Sequence, residues 1–160
     1  MNDNSKIHPF PRIFDKHSKV LIVGLFPSKD SQQGGFYYNH SRNRFWKIME
    51  QIFGKNNCRV AIKNKRKFAL DKHIAFCDII KINSDKIDDI KPNNFYDILQ
   101  VAQIKQIFVI GNKASRLVKR YYPHLEFKKL ISSSNLTYIR GYDTPKLIEQ
   151  YKAIRDILES

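Results

Sequence analysis

Four short apolar runs punctuate the chain and set its predicted strands apart from everything between them. Val20-Leu21-Ile22-Val23-Gly24 is unbroken and closed by glycine, the signature of a strand buried on both faces rather than one with a wetted side. Ile74-Ala75-Phe76-Cys77-Asp78-Ile79-Ile80 is a second run, Ile107-Phe108-Val109-Ile110-Gly111 a third, and residues 125–131 form a weaker fourth. The spacing changes to helical between them. Residues 44–53 place Phe45, Trp46, Met49, Ile52 and Phe53 along one stripe, and Gly54 follows as a stop. Asn94 is placed to cap a helix carrying Phe95, Ile98, Leu99 and Ala102, and Asn112 one carrying Ala114, Leu117, Val118 and Tyr121. The last helix starts with Thr144 as cap and Pro145 in its first position, with Leu147, Ile148, Tyr151, Ile154 and Leu158 on its buried stripe.

Strands separated by helices pair in parallel, because the crossover covers the sheet face. The pattern therefore predicts an α/β fold: a three-layer α/β/α sandwich with a central four-stranded, mainly parallel sheet. The 160 residues, 42% of them hydrophobic, fit one domain over 1–160 with a single buried core.

Charge adds a partner. Lys and Arg number 29 against 15 Asp and Glu, a formal +14 with a pI near 9.8, which points to a polyanion and first of all to nucleic acid. A generally basic surface would give the same total without any partner. The basic run Lys63-Asn64-Lys65-Arg66-Lys67 is read as a solvated helix start, with a phosphate contact as the alternative. Cys58 and Cys77 form no C-x-x-C pair, so neither zinc site nor disulfide framework is expected. The opening residues Met1 to Lys6 lack the apolar stretch of a signal peptide and no run is long enough to span a bilayer, so a cytoplasmic protein away from membranes is expected.

In a parallel α/β sheet, ligands bind outside the carboxyl ends of the strands. The loop after the first run, Gly24-Leu25-Phe26-Pro27-Ser28 leading to Gly34-Gly35-Phe36-Tyr37-Tyr38-Asn39-His40-Ser41-Arg42-Asn43-Arg44-Phe45-Trp46, is too long and too aromatic for a connector. It has neither the G-x-G-x-x-G of dinucleotide folds nor the G-K-[ST] of P-loops, so no nucleotide cofactor is expected. Asp78 interrupts an apolar run and must face a polar pocket or a partner. Arg42, Arg44 and Arg116 are candidates for phosphate contacts.

His8-Pro9-Phe10-Pro11, residues 20–28 and residues 37–46 together resemble the hypoxanthine-DNA glycosylase branch of the uracil-DNA glycosylase superfamily. The stretch His40 to Lys47 is also similar to mismatch-specific uracil-DNA glycosylases, which carry a comparable His-x-x-Asn-Arg-Phe-Trp segment. Residues 67–80 and the final helix are compatible with the same family, so the resemblance is dense over the first fifty residues or so and thin beyond.

The resemblance implies a monofunctional DNA glycosylase of base excision repair, releasing hypoxanthine or uracil without metal or cofactor. Such chemistry needs the base extruded from the stack, held between apolar faces, and its bond to deoxyribose hydrolysed. Many relatives place an Asn or Asp just after the first-strand glycine, where this chain has Leu25 and Phe26. The hypoxanthine branch implies that Asn43 takes over, positioning water; an Asn beside a helix start also serves as a cap, and neighbouring Asn39 offers a second amide. Gly24, Phe26, Pro27, Ser28, Tyr37, Tyr38 and His40 are the expected base-binding residues, with Phe26 and the tyrosines as stacking faces and one tyrosine of the pair structural. Arg42 and the loop Ser132-Ser133-Ser134-Asn135 are expected on the DNA backbone, although that loop lacks the prolines of its relatives. The protein is expected to act as a monomer. Two other classes remain open: a glycosylase-like module that binds DNA without cutting it, and a hydrolase of free nucleosides, against which the charge argues.

Overall fold

The computed structural model describes residues 6–54 and 62–160. Its elements in chain order are β1 (Lys6–Ile7), β2 (Val20–Val23), α1 (Lys29–Gly34), α2 (Phe45–Phe53), α3 (Ile62–Asp71), β3 (Ile74–Phe76), β4 (Ile80–Asn83), a 3-10 turn at Ile87–Asp89, β5 (Lys91–Pro92), α4 (Tyr96–Val101), β6 (Gln106–Ile110), α5 (Asn112–Tyr121), β7 (Lys128–Leu130), α6 (Leu136–Ile139) and α7 (Thr144–Leu158). The central sheet has four parallel strands in the order β3-β2-β6-β7.

Both faces of that sheet are buried, and the period-2 alternation of strand side chains divides them. Val20 and Ile22 point into a core shared with α2, α3 and α7, where Phe45, Trp46, Met49, Phe68, Leu147, Tyr151 and Ile154 pack. Leu21 and Val23 point to the other side, against Phe95 and Ile98 from the α4 region and Ala114 and Val118 of α5. This is the three-layer α/β/α arrangement the apolar runs predict. Among the described residues no helix is long and apolar enough to cross a membrane.

The second apolar run departs from expectation. It supplies β3, then leaves the sheet at Cys77 and Asp78, and resumes as β4 in a separate antiparallel sheet of order β1-β4-β5. The break follows from Asp78, which turns inward to accept the Gly24 N–H, while the Ile79 N–H donates to the Gly24 carbonyl at 2.9 Å. The fourth run is ordered as a strand only over Lys128–Leu130.

Two caps also move by one residue. Asp143, not Thr144, caps α7 by accepting the Lys146 N–H, and Asn112 lies inside α5, its amide oxygen taking the Lys129 ammonium instead. Asn94 does accept the Tyr96 N–H at the start of α4, and Gly54 ends α2 at φ 104°. In the basic run, Lys65 is not solvated: it is buried, with Nζ 2.9 Å from Asn39 Oδ1 and 5.6 Å from the Trp46 ring. Arg66 and Lys67 are exposed, and the Lys63 side chain, like Cys58 and residues 1–5, lies outside the described residues. Cys77 is a free, buried thiol.

Candidate active site

The loop leaving β2 and the loop leaving β7 meet over the carboxyl ends of the parallel strands and enclose a cleft of about 510 Å³. That size is in the usual range for a site that engulfs a small organic group. The nominated residues Gly24, Phe26, Pro27, Ser28, Tyr37, Tyr38, His40, Arg42, Asn43, Ser132, Ser133, Ser134 and Asn135 lie in its wall, whereas Arg44 and Arg116 do not. Asp78, expected to face a polar pocket or a partner, joins them, as do Asp30, Leu136 and Ile139, which the sequence does not single out.

The two loops are tied together by their backbones. Asn43 and Ser134 form an isolated antiparallel bridge, Arg44 N–H donates to the Ser133 carbonyl at 2.8 Å, and Asn135 N–H donates to the Arg42 carbonyl at 2.9 Å. Asn43 sits at this junction. Its Oδ1 accepts both the Phe45 N–H at the start of α2 (2.9 Å) and the hydroxyl of the fully buried Ser133 (2.7 Å). Capping and a polar role in the cleft are thus compatible, since the oxygen does the first and leaves the Nδ2 donors for the second. Asn39 is placed differently. Its Nδ2 donates to the Gly34 carbonyl and its Oδ1 accepts from Lys65, so both ends of that amide serve the loop, and Asn39 is not in the wall of the cleft.

The aromatic pair divides. Tyr37 is a core residue, its ring 5.6 Å from Phe76 in a stacked arrangement and its hydroxyl donating to the Pro11 carbonyl. Tyr38 adopts φ 56° and stacks on Phe45 at 4.5 Å, with its hydroxyl enclosed and without a hydrogen-bond partner among the described residues. Phe26 meets His8 edge-on at 5.4 Å and packs against the second core. Ser28 caps the short helix α1 through the Ser31 N–H. His40 Nδ1 accepts the Arg42 N–H, and partial burial holds its pKa below the usual histidine range, which favours the neutral ring at pH 7.

At the closed end of the cleft, Asp78 is 4% exposed and held between two donors, Gly24 N–H on Oδ1 (3.1 Å) and His8 Nε2 on Oδ2 (2.8 Å). His8 Nδ1 lies 3.0 Å from the Phe10 carbonyl oxygen and 3.1 Å from the Phe10 nitrogen, contacts that hold the ring with its Nε2 on Asp78.

Of the three arginines read as phosphate ligands, Arg42 reaches solvent at the rim and pairs with Asp30, and Arg116 is exposed away from the cleft. Arg44 turns inward instead. It is 5% exposed and donates to the Tyr142 and Ser134 carbonyls and to the hydroxyls of Thr137 and Thr144, with its guanidinium 5.9 Å from the Tyr138 ring. These bonds, with Thr137 Oγ1 bonded to the Ser132 and Ser134 carbonyls, hold the proline-free loop in place. Arg44→Met is therefore expected to cost about 3 kcal/mol, since several acceptors lose a charged donor together. Thermal denaturation checks this: a melting temperature within about 1 °C of the parent, against an expected fall of roughly 6–12 °C, would show the loop held otherwise.

A three-layer α/β/α protein with a polar and aromatic cleft over the carboxyl ends of its parallel strands has that cleft where open α/β sheets bind their ligands. Residues 11–156 match the uracil DNA glycosylase superfamily, and the chain belongs to that family. A protein of Methanosarcina acetivorans named hypoxanthine DNA glycosylase is 31% identical over 137 residues, covering 78% of this chain and 84% of the relative. Its namesake from Methanosarcina barkeri is 29% identical over the same length and shares. The solution structure of a Methanosarcina acetivorans protein provisionally assigned as a uracil DNA glycosylase superposes with a TM-score of 0.74, at 23% identity, over 94% of this chain and 97% of that one, a likeness of fold.

Proposed function

We propose that the chain is a monofunctional DNA glycosylase that hydrolyses the N-glycosidic bond of a deaminated base, hypoxanthine or uracil, in the first step of base excision repair. The observation that carries this is the cleft itself, in which two loops of a superfamily member converge on the Asn43 amide beside an aromatic wall. Kinship with proteins named hypoxanthine DNA glycosylase supports the choice of base.

The base leaves the stack and enters the cleft against Phe26, where aromatic contact is worth roughly 1–3 kcal/mol. As the bond to C1′ stretches, the sugar gains oxocarbenium character, and water is the nucleophile. Asn43 Nδ2 holds that water by its oxygen, so its contribution is position rather than basicity. Arg42 and the backbone and hydroxyls of Ser132, Ser134 and Asn135 face the phosphates at the rim, while the Ser133 hydroxyl stays on Asn43. The unit acts as one domain over 1–160, as a cytoplasmic monomer needing no cofactor.

Beside the cleft, Leu136 is 71% and Ile139 82% exposed, one helical turn apart on α6. Bare aliphatic side chains at the mouth of a site for an extruded base are placed to fill the gap left in the stack. Replacing both by alanine is expected to slow excision from duplex DNA roughly tenfold while leaving single-stranded substrate nearly untouched, because only the duplex must be held open. Equal losses on the two substrates would remove that role.

The activity is tested with labelled oligonucleotides carrying uracil, deoxyinosine or xanthine, single-stranded and paired, treated with alkali and resolved on a gel. Strand scission at one lesion is expected. A protein that binds these oligonucleotides and leaves no alkali-labile site is instead a binding module.

A further inference from the structure

The cleft ends in a pair of groups that the hydrolysis just described does not use. Tyr38 takes a left-handed backbone conformation, φ 56°, that side chains of its size rarely adopt. The ring is then wedged against Phe45, and its hydroxyl is enclosed with no hydrogen-bond partner among the described residues. A buried donor without an acceptor is uncommon, and in the wall of a cleft it points to a ligand. Burial first, and the charge of Asp78 second, push the phenol pKa well above its usual value, so the group keeps its proton and donates.

Asp78 stands next to it. A methyl added at Gly24 would lie 2.4 Å from Tyr38 Oη and 2.7 Å from Asp78 Oδ1, so both atoms converge on one point of the cleft floor. Each carboxylate oxygen carries one hydrogen bond here and can accept another. The floor therefore presents a donor and an acceptor side by side.

We infer that the Tyr38 hydroxyl and the Asp78 carboxylate read the lactam edge of the extruded base, Tyr38 donating to its carbonyl oxygen and Asp78 accepting from the adjacent ring N–H. Deamination makes that edge. Adenine and cytosine show an exocyclic amine beside a bare ring nitrogen, whereas hypoxanthine and uracil both show a carbonyl beside an N–H. The parent adenine or cytosine would set its ring-nitrogen lone pair against the Asp78 carboxylate, so one floor accepts both deaminated bases and rejects their parents, whereas thymine and guanine keep the carbonyl and N–H and are excluded by shape rather than by this edge. This inference rests on the glycosylase reading and assigns its specificity-determining pair.

Tyr38→Phe tests it, because the ring and its stacking remain and only the unpartnered hydroxyl goes. Release of hypoxanthine and of uracil from oligonucleotides is followed as kcat/KM, alongside thermal denaturation of both proteins. The expected result is a fall of about 10- to 100-fold on both bases, with a melting temperature equal to or above the parent's, since a buried orphan donor is removed. Unchanged release by Tyr38→Phe beside an active parent overturns the inference and leaves the glycosylase reading standing. A fall in rate matched by a lower melting temperature also overturns it, by making Tyr38 a packing residue. A parent that releases neither base fails the glycosylase reading itself, and this assignment with it.

Discussion

Gly24→Ala is expected to lower base excision by roughly 100-fold or more, because a single methyl at this position fills the floor of the cleft. The added carbon would sit 2.4 Å from Tyr38 Oη, 2.7 Å from Asp78 Oδ1 and 3.3 Å from Tyr38 Cζ, so something must move. Neither neighbour is a loose side chain. Tyr38 is stacked on Phe45, and Asp78 is pinned by His8 and by the Gly24 N–H itself. Displacement by about 1 Å of groups that position a reacting base costs on the order of 10²-fold in rate. Overpacking costs about 1–3 kcal/mol of stability in addition. Excision rate and melting temperature measured together separate the two effects. An alanine variant as active as the parent would mean that the base never reaches this floor.

Asn43→Ala carries the other large effect, an expected loss of roughly 10²–10⁴-fold in the chemical step. The same change removes the acceptor for the Phe45 N–H and strands the hydroxyl of Ser133, so stability falls too, by about 0.5–2 kcal/mol for the cap. Asn43→Ser distinguishes cap from chemistry. Its hydroxyl can still cap α2, so stability recovers, but it offers no Nδ2 donor to water and the rate stays low. If serine restored the rate along with the stability, the Nδ2 donors would have no part in the chemistry.

How much of this was legible in the chain depended on range. β2 and β6 were plain, because strands buried on both faces must be continuously apolar, and the stripes of α2 and α7 followed from helical spacing. The antiparallel sheet was not. Lys6–Ile7 and Lys91–Pro92 are two residues each and Ile7 is exposed, too short and too wet for any period to register. Helix α1, Lys29–Gly34, has no apolar stripe at all, and its local signals are only its ends, the cap at Ser28 and the left-handed Gly35.

The site divided in the same way. The aromatic density of residues 36–46 and the family resemblance singled out the loop, and the position of Asp78 flagged it as polar within an apolar run. What occupied it did not follow, since His8 and Gly24 lie far away in sequence, the former by 70 residues. Arg44 and Lys65 were misplaced on the surface because a basic composition argues for solvent, whereas their burial depends on partners at residues 134–144 and at Asn39. Leu136 and Ile139 carry a local signal of their own, two aliphatics one helical turn apart just after the Ser132-Ser133-Ser134-Asn135 loop.

The central claim is that this cleft releases a deaminated base, and free base is its most direct product. Purified protein in excess over oligonucleotides containing deoxyinosine or deoxyuridine, with the supernatant resolved chromatographically, should yield free hypoxanthine or uracil in amounts equal to the abasic sites formed in the strand. Folded protein that binds the same oligonucleotides, yet leaves every base attached through a long incubation, would contradict it.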